Sequence, residues 1–338
     1  MVEQGTVVFD SVDSAALRGN PHGDPARRAL PVYLPPSYAH GARHYPTIYW
    51  LPGFGSTALG GVTYDPWSPS LPDAMERAIA DGAPEAILVL VDGFTRFGGS
   101  QYLNSAANGR YEDYVVGDVV AHVDATYRTL PRAAARGIAG KSSGGYGALV
   151  LGMRHPETFA AISAHSADAY FELCYKPDFP RLLNAAARHG RQGDVDAFLT
   201  AFLALPKKTG DVLAAASIAA MAMAYSPNPH RPPYFYDLPF DSYTGELAAA
   251  VWERWLAWDP VNLVGQHADA LRALRLLFFE CGTRDEYHLH YGARVLARRL
   301  DALGVRYLHE EFDDSHSRTN YRYPPALARL SAALAREA

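Results

Sequence analysis

The chain has 338 residues, 49% hydrophobic and 20% charged. That balance supports a sizeable core, excludes a wholly disordered chain, and fits one large domain with an insertion or about two of ordinary size. Lys and Arg number 31 and Asp and Glu 36, a net charge of -5, without the basic excess that a nucleic-acid binder sets against phosphates, so no nucleic-acid partner is expected.

The two cysteines, Cys174 and Cys281, are too few for a disulfide scaffold and read as free thiols. The start of the chain carries Glu3 and no basic flank leading into an apolar stretch, which does not match a secretory signal. The longest apolar run, Val212 to Tyr225, is shorter than the roughly 20 residues that a bilayer requires. A soluble, cytoplasmic protein with no membrane partner is therefore expected.

Short β-branched or apolar runs predict strands at Thr6–Phe9, Leu30–Leu34, Thr47–Leu51, Ala86–Val91, Gly137–Ala139 and Ala161–Ser163, then at Arg275–Glu280 and Arg306–Phe312. The first two runs are followed by turn chemistry, Asn20-Pro21-His22-Gly23-Asp24 and Pro35-Pro36-Ser37, which predicts an antiparallel opening. Later runs are followed by helical patterns at Leu71–Ala80, Tyr111–Tyr127, Gly144–Arg154 and His288–Leu303. This rhythm predicts an α/β fold with a mostly parallel, eight-stranded sheet flanked by helices. Residues 166–258 interrupt it with a helical segment rich in proline and aromatics. Because the segment returns to the strand pattern, it reads as a helical cap inserted within a single domain spanning residues 1–338.

The sharpest local signal is Gly140-Lys141-Ser142-Ser143-Gly144, a G-x-S-x-G sequence directly after a predicted strand and directly before a helix. A chain that turns this tightly needs small residues around a serine whose hydroxyl stands exposed and whose following amide points at the reaction site. Ser142 is the candidate nucleophile, with Ser143 as the rival. A serine hydroxyl needs a histidine to take its proton and a carboxylate to orient that histidine, both on loops after later strands. Cys281-Gly282-Thr283-Arg284-Asp285 and Asp313-Asp314-Ser315-His316 supply them. Asp285 is favoured over the adjacent Glu286 because it follows the glycine turn and has the shorter side chain. His309 falls inside the last strand. His288 and His290 form an H-x-H pair without a third ligand in a recognisable motif, so no metal is assigned. Leu51-Pro52-Gly53-Phe54-Gly55-Ser56 follows the third strand, where donors for an oxyanion belong. The Phe54 and Ser143 amides are the candidates.

Tyr49-Trp50-Leu51-Pro52-Gly53, Val91-Asp92-Gly93, Tyr111-Glu112-Asp113-Tyr114-Val115 and Gly140 to Ala148, with the late Asp285 and His316, resemble the esterase D-like family of α/β-hydrolases. Feruloyl esterases, enterochelin esterases, S-formylglutathione hydrolases and antigen 85 mycolyltransferases are members. The resemblance covers Leu30 to about Ala169 and Leu274 to Tyr323 and leaves the cap unmatched. It implies an α/β-hydrolase fold and a serine esterase without a cofactor, acting on a small-molecule ester through an acyl-enzyme, with Ser142 as nucleophile, His316 as base then acid, and Asp285 as orienting acid. Transfer of the acyl group to an alcohol, or a noncatalytic binding role on the same fold, are the alternatives. Trp67, Tyr102, Tyr170 and Phe171 are the foremost candidates to line the acyl pocket, with Tyr175, Tyr234, Phe235, Tyr236, Trp252 and Trp255 of the cap beside them, and Arg96, Arg110 and Arg284 are expected to lie near its edge. The sequence leaves the number of subunits open.

Overall fold

The computed structural model describes residues 4–189 and 191–336. Among them, eight strands form one sheet: β1 Thr6–Asp13, β2 Arg27–Leu34, β3 Thr47–Leu51, β4 Ile87–Leu90, β5 Arg136–Lys141, β6 Ala161–His165, β7 Leu276–Gly282 and β8 Leu308–Phe312. Their order is β1-β2-β4-β3-β5-β6-β7-β8. β1 pairs with β2, and β2 with β4, in antiparallel fashion. From β4 to β8 every pairing is parallel. The predicted antiparallel opening and parallel body are both present.

Burial explains why the central strands read as unbroken apolar runs. Every residue of β3, β4 and β6 is buried, as expected where helices cover both faces of a parallel sheet. Alternation still decides which face each side chain serves. Ile48 and Trp50 of β3 join a core with Leu71, Met75, Tyr323 and Leu330, under helices α1 (Leu71–Ala80) and α9 (Tyr323–Ala333). Tyr49 and Leu51 face the larger core, which holds Leu149 and Leu151 of α3 (Ser143–Arg154). Helix α1 starts on a capping box in which the Ser70 hydroxyl accepts from the Asp73 amide and the Asp73 carboxylate accepts from the Ser70 amide.

The segment Tyr111–Thr126 is helical throughout, but its middle, Tyr114–Val119, is wound as a π-helix between two α-helical pieces, the second being α2 (Val120–Thr126). Between β6 and β7 the chain forms α4 (Phe179–His189), α5 (Val195–Ala204), α6 (Gly210–Tyr225) and α7 (Ala249–Leu256). Tyr175, Tyr225 and Trp255 pack there edge to face or tilted, 5.3–5.9 Å between ring centres, and belong to the same apolar core as the sheet. Helix α8 (Leu289–Ala302) then leads into β8. No helix of the described residues is long and apolar enough to cross a membrane.

A buried charged relay ties the last strands to α9. His165 Nδ1 lies 2.9 Å from Glu280 Oε1, and Arg322 donates to Glu280 Oε2 from Nε at 3.0 Å and Nη2 at 2.6 Å. Arg322 also reaches Glu310 at 2.6 Å. Burial pushes the Glu280 carboxyl up, but the His165 and Arg322 hydrogen bonds and charges outweigh it and hold it below its ordinary 4.5. The folded protein therefore binds that proton more weakly than the unfolded chain, so this contribution is full above about pH 4.5 and fades as pH falls through the lowered folded value. Replacing Glu280 by Ala leaves Arg322 and His165 without their shared acceptor. We expect a loss of roughly 3 kcal/mol in urea unfolding at neutral pH, shrinking in acid.

Candidate active site

The chain reverses from β5 into α3 at Ser142, which has φ 57° and ψ -126°, a region a non-glycine residue enters only at a cost of order 1–3 kcal/mol. The Ser142 amide donates to the His165 carbonyl at 2.9 Å, and its carbonyl accepts from the Tyr146 amide at 2.8 Å, so the turn is held from both sides. Glycine is required on both flanks. A Cβ at Gly140 would sit 2.3 Å from the Gly144 carbonyl oxygen, and one at Gly144 would sit 1.8 Å from that of Leu51.

Two later loops meet beside this turn. His316 Nδ1 lies 2.8 Å from Asp285 Oδ2, although 31 residues separate them in sequence. Asp285 Oδ1 accepts from the Tyr287 amide at 2.9 Å. Burial pushes the Asp285 carboxyl up, but the His316 bond and charge and the amides of Tyr287 and Leu289 together hold it below its ordinary 3.8. It is a carboxylate at neutral pH. Glu286 serves the backbone instead. Its Oε2 accepts from the His316 amide at 2.9 Å, which fixes the loop and leaves the ring to Asp285. The His316 ring packs edge-on against Tyr287, 4.8 Å between centres.

Ser142, His316, Phe54 and Ser143 all line one cleft of about 1010 Å³ at the C-terminal ends of the parallel strands. Among the described residues, neither the Phe54 amide nor the Ser143 amide has an acceptor within hydrogen-bonding distance. The Ser143 amide is free because it opens a helix, whose first amides have no partner inside it. Lys141 also lines the cleft. Burial lowers the pKa of its ammonium, against the opposing charges of Asp285, Glu286 and Cys281.

The four foremost candidates for lining the acyl pocket are placed otherwise. Trp67 is 85% exposed, and although its neighbours Pro66 and Ser68 touch the cleft, it does not. Tyr102 is buried behind the cleft, its hydroxyl donating to the Pro52 carbonyl at 2.6 Å. The Tyr170 and Phe171 amides both donate to Asp259, and the Phe171 ring is packed against Tyr146, Tyr175 and Tyr225. Of the expected cap aromatics Tyr175 does line the cleft, and Leu213, Ile218, Met221 and Tyr287 complete the wall. Arg96, Arg110 and Arg284 pair with Asp24, Asp113 and Asp313 and lie outside the cleft.

Sequence reasoning missed Asp168, which is 5% exposed and has its Oδ1 3.5 Å from Ser142 Oγ. A signal for it exists: Ser166-Ala167-Asp168 follows β6 at the same sheet edge that supplies the other residues, a position where α/β sheets gather their ligand contacts. In the sequence those residues read only as the start of the insertion.

The profile of the family described as "Putative esterase" matches residues 25–332. The chain belongs to that esterase family. Esterase Rv1288 of Mycobacterium tuberculosis (strain H37Rv) is 30% identical over 139 residues, 41% of this chain and 28% of the relative, so the chain matches little more than a quarter of that relative's length. Among solved structures, a ferulic acid esterase superposes with a TM-score of 0.59 at 20% identity, covering 98% of this chain and 100% of the other. An S-formylglutathione hydrolase from Agrobacterium tumefaciens gives 0.59 at 16% identity, covering 99% and 98%. These likenesses establish the α/β-hydrolase fold, so the expected fold and the expected family both hold.

The closeness of β3 to the turn makes one outcome specific. Gly144→Ala would force the Leu51 carbonyl away from α3, and we expect its thermal midpoint to fall by more than about 5 °C in a calorimetric scan.

Proposed function

We propose that the chain is a serine esterase that cleaves a small-molecule carboxylic ester through an acyl-enzyme, with Ser142, His316 and Asp285 as its triad. One observation carries this reading: a serine on a strained strand-to-helix turn shares a cleft with a histidine whose far ring nitrogen is 2.8 Å from a buried carboxylate. Family membership supports the same reaction class.

In this reading Asp285 keeps the proton on His316 Nδ1, leaving Nε2 as the base. His316 takes the Ser142 hydroxyl proton as Oγ attacks the acyl carbon, and the carbonyl oxygen becomes an oxyanion. The unpartnered Phe54 and Ser143 amides donate to it, where a preorganised pair of donors acts on charge that develops only in the transition state. His316 then gives its proton to the leaving alcohol. Water repeats the sequence on the acyl-enzyme and frees the acid. Neither half-reaction calls for a cofactor.

The segment 166–258 serves as a cap in this account, since Tyr175, Leu213 and Ile218 supply one wall of the cleft. An apolar wall beside two backbone donors suits an acyl chain held at a polar reacting centre. The buried free thiols of Cys174 and Cys281 agree with action in a reducing, cytoplasmic setting.

Short p-nitrophenyl esters should give a burst of about one nitrophenol per chain followed by slower turnover. Ser142→Ala and His316→Ala should each lose about 10⁴-fold or more in kcat, and the double variant little beyond that, because the two act as one unit. Asp285→Asn should lose about 10³–10⁴-fold through the wrong imidazole tautomer. Full activity in Ser142→Ala would contradict the reading.

A further inference from the structure

The mechanism above has no use for Asp168, yet several parts of the fold converge to hold it. Its Oδ2 accepts from the Tyr175 hydroxyl at 2.8 Å, Gln101 Nε2 at 3.2 Å and the Ser143 hydroxyl at 3.2 Å. Gln101 adopts φ 55° to reach it, and Ser166 and Tyr170, on the segment that carries Asp168, adopt φ 42° and 60°. This strained backbone surrounds a carboxylate that lines the cleft, and strain of this kind clusters at functional positions.

The donors around Asp168 are all neutral. Among the described residues no Lys, Arg or His nitrogen forms an ion pair with its carboxylate, as Arg154 does with Glu112 and Arg322 with Glu280. Burial pushes the Asp168 carboxyl up, and the hydrogen bonds of Tyr175, Gln101 and Ser143, with the charge of His316 nearby, only partly oppose it. A buried carboxylate without a counter-ion is costly. Three donors fill Oδ2, while Oδ1 has only the long 3.5 Å contact to Ser142 Oγ, and Asp168 is one of the residues that line the cleft. What this carboxylate lacks is a cation in direct contact, and its less occupied oxygen is the one beside Ser142 Oγ.

We propose that Asp168 is a specificity-determining residue that selects esters whose acyl group carries a protonated amine on the carbon next to the scissile carbonyl. The inference rests on the esterase reading above. Covalent geometry sets the position of that amine. With C–C and C–N bonds of about 1.5 Å, a substituent on the α-carbon lies about 3 Å from the ester oxygen derived from Ser142, at a similar radius from Oγ to Asp168 Oδ1. An α-ammonium on the Asp168 side of the acyl carbon therefore comes within reach of Oδ1 while the acyl carbon is within reach of Oγ. In doing so it supplies the missing charge and draws Asp168 off the Ser142 hydroxyl, leaving that proton to His316. An acyl group with a plain methylene at this position leaves the carboxylate uncompensated.

The test compares the 2-naphthyl esters of alanine, lactic acid and propionic acid, which differ only in the α-substituent, at a pH where the amine is protonated. The wild type should favour the alanine ester over the propionate ester by about 10- to 100-fold in kcat/KM, the range of a charged hydrogen bond, with most of the gain in KM. Asp168→Asn should erase most of that ratio. The Asn carbonyl can still accept from Tyr175, Gln101 and Ser143, while its NH₂ then faces the ammonium. Three results would overturn the inference: equal rates on alanine and propionate esters in the wild type, lactate ahead of alanine, or an Asp168→Asn loss that falls alike on all three esters, which would make Asp168 an electrostatic partner of His316. Failure of the wild type to cleave any of the three would instead sink the esterase reading, and this inference with it.

Discussion

The turn between β5 and α3 leaves no room for a side chain at Gly140 or Gly144, two residues to either side of Ser142. A Cβ at position 144 would lie 1.8 Å from the Leu51 carbonyl oxygen, so α3 rests directly on the end of β3. That contact depends on β3 and β5 being parallel neighbours in register, Leu51 beside Gly140. The same close approach brings the Pro52–Phe54 loop alongside the turn, so the unpartnered amide of Phe54 and that of Ser143 border one cleft. The rest of the candidate site is arranged around this contact.

Parallel pairing also explains how Asp285 and His316 meet. β7 and β8 run side by side, with Gly282 opposite Phe312. Beyond the sheet the pairing continues as loop-to-loop hydrogen bonds: the Thr283 amide donates to the Phe312 carbonyl at 2.8 Å and the Arg284 amide to the Asp314 carbonyl at 3.0 Å. The two loops leave the sheet joined, and one or two residues later their side chains are within a hydrogen bond of each other. Glu286 adds a third tie through the His316 amide. Orientation of the imidazole is thus a consequence of strand order.

Much of this is legible in the sequence, for identifiable reasons. β3 and α1 occupy the expected spans because an unbroken apolar run and a capping box are strong local signals. Ser142 can be found because the steric demand of the turn is written in adjacent glycines. Asp285 and His316 can be found because each follows a strand and a turn. Other features depend on partners distant in sequence. The final helix α9 is not among the elements expected from the sequence; its Pro324 and Pro325 occupy the first turn, where a missing amide costs nothing. The π-helical stretch at Tyr114–Val119 carries an ordinary amphipathic pattern. The aromatics of residues 166–258 lie mostly in the apolar core they share with the sheet, and composition alone cannot tell a pocket wall from packing. The place of Asp168 directly after β6 is visible in the sequence, but the convergence of Gln101, Tyr175 and Ser143 on it is not encoded in any spacing.

The central claim is that the Ser142 hydroxyl is the activated nucleophile of this fold. Treating the protein with a fluorophosphonate and mapping the adduct by peptide mass spectrometry tests it most directly. A single phosphonyl group on Ser142, lost when Asp285 or His316 is replaced, is the result expected from the strained turn and the oriented imidazole. An adduct on Ser143 instead, or labelling that survives both replacements, would contradict it.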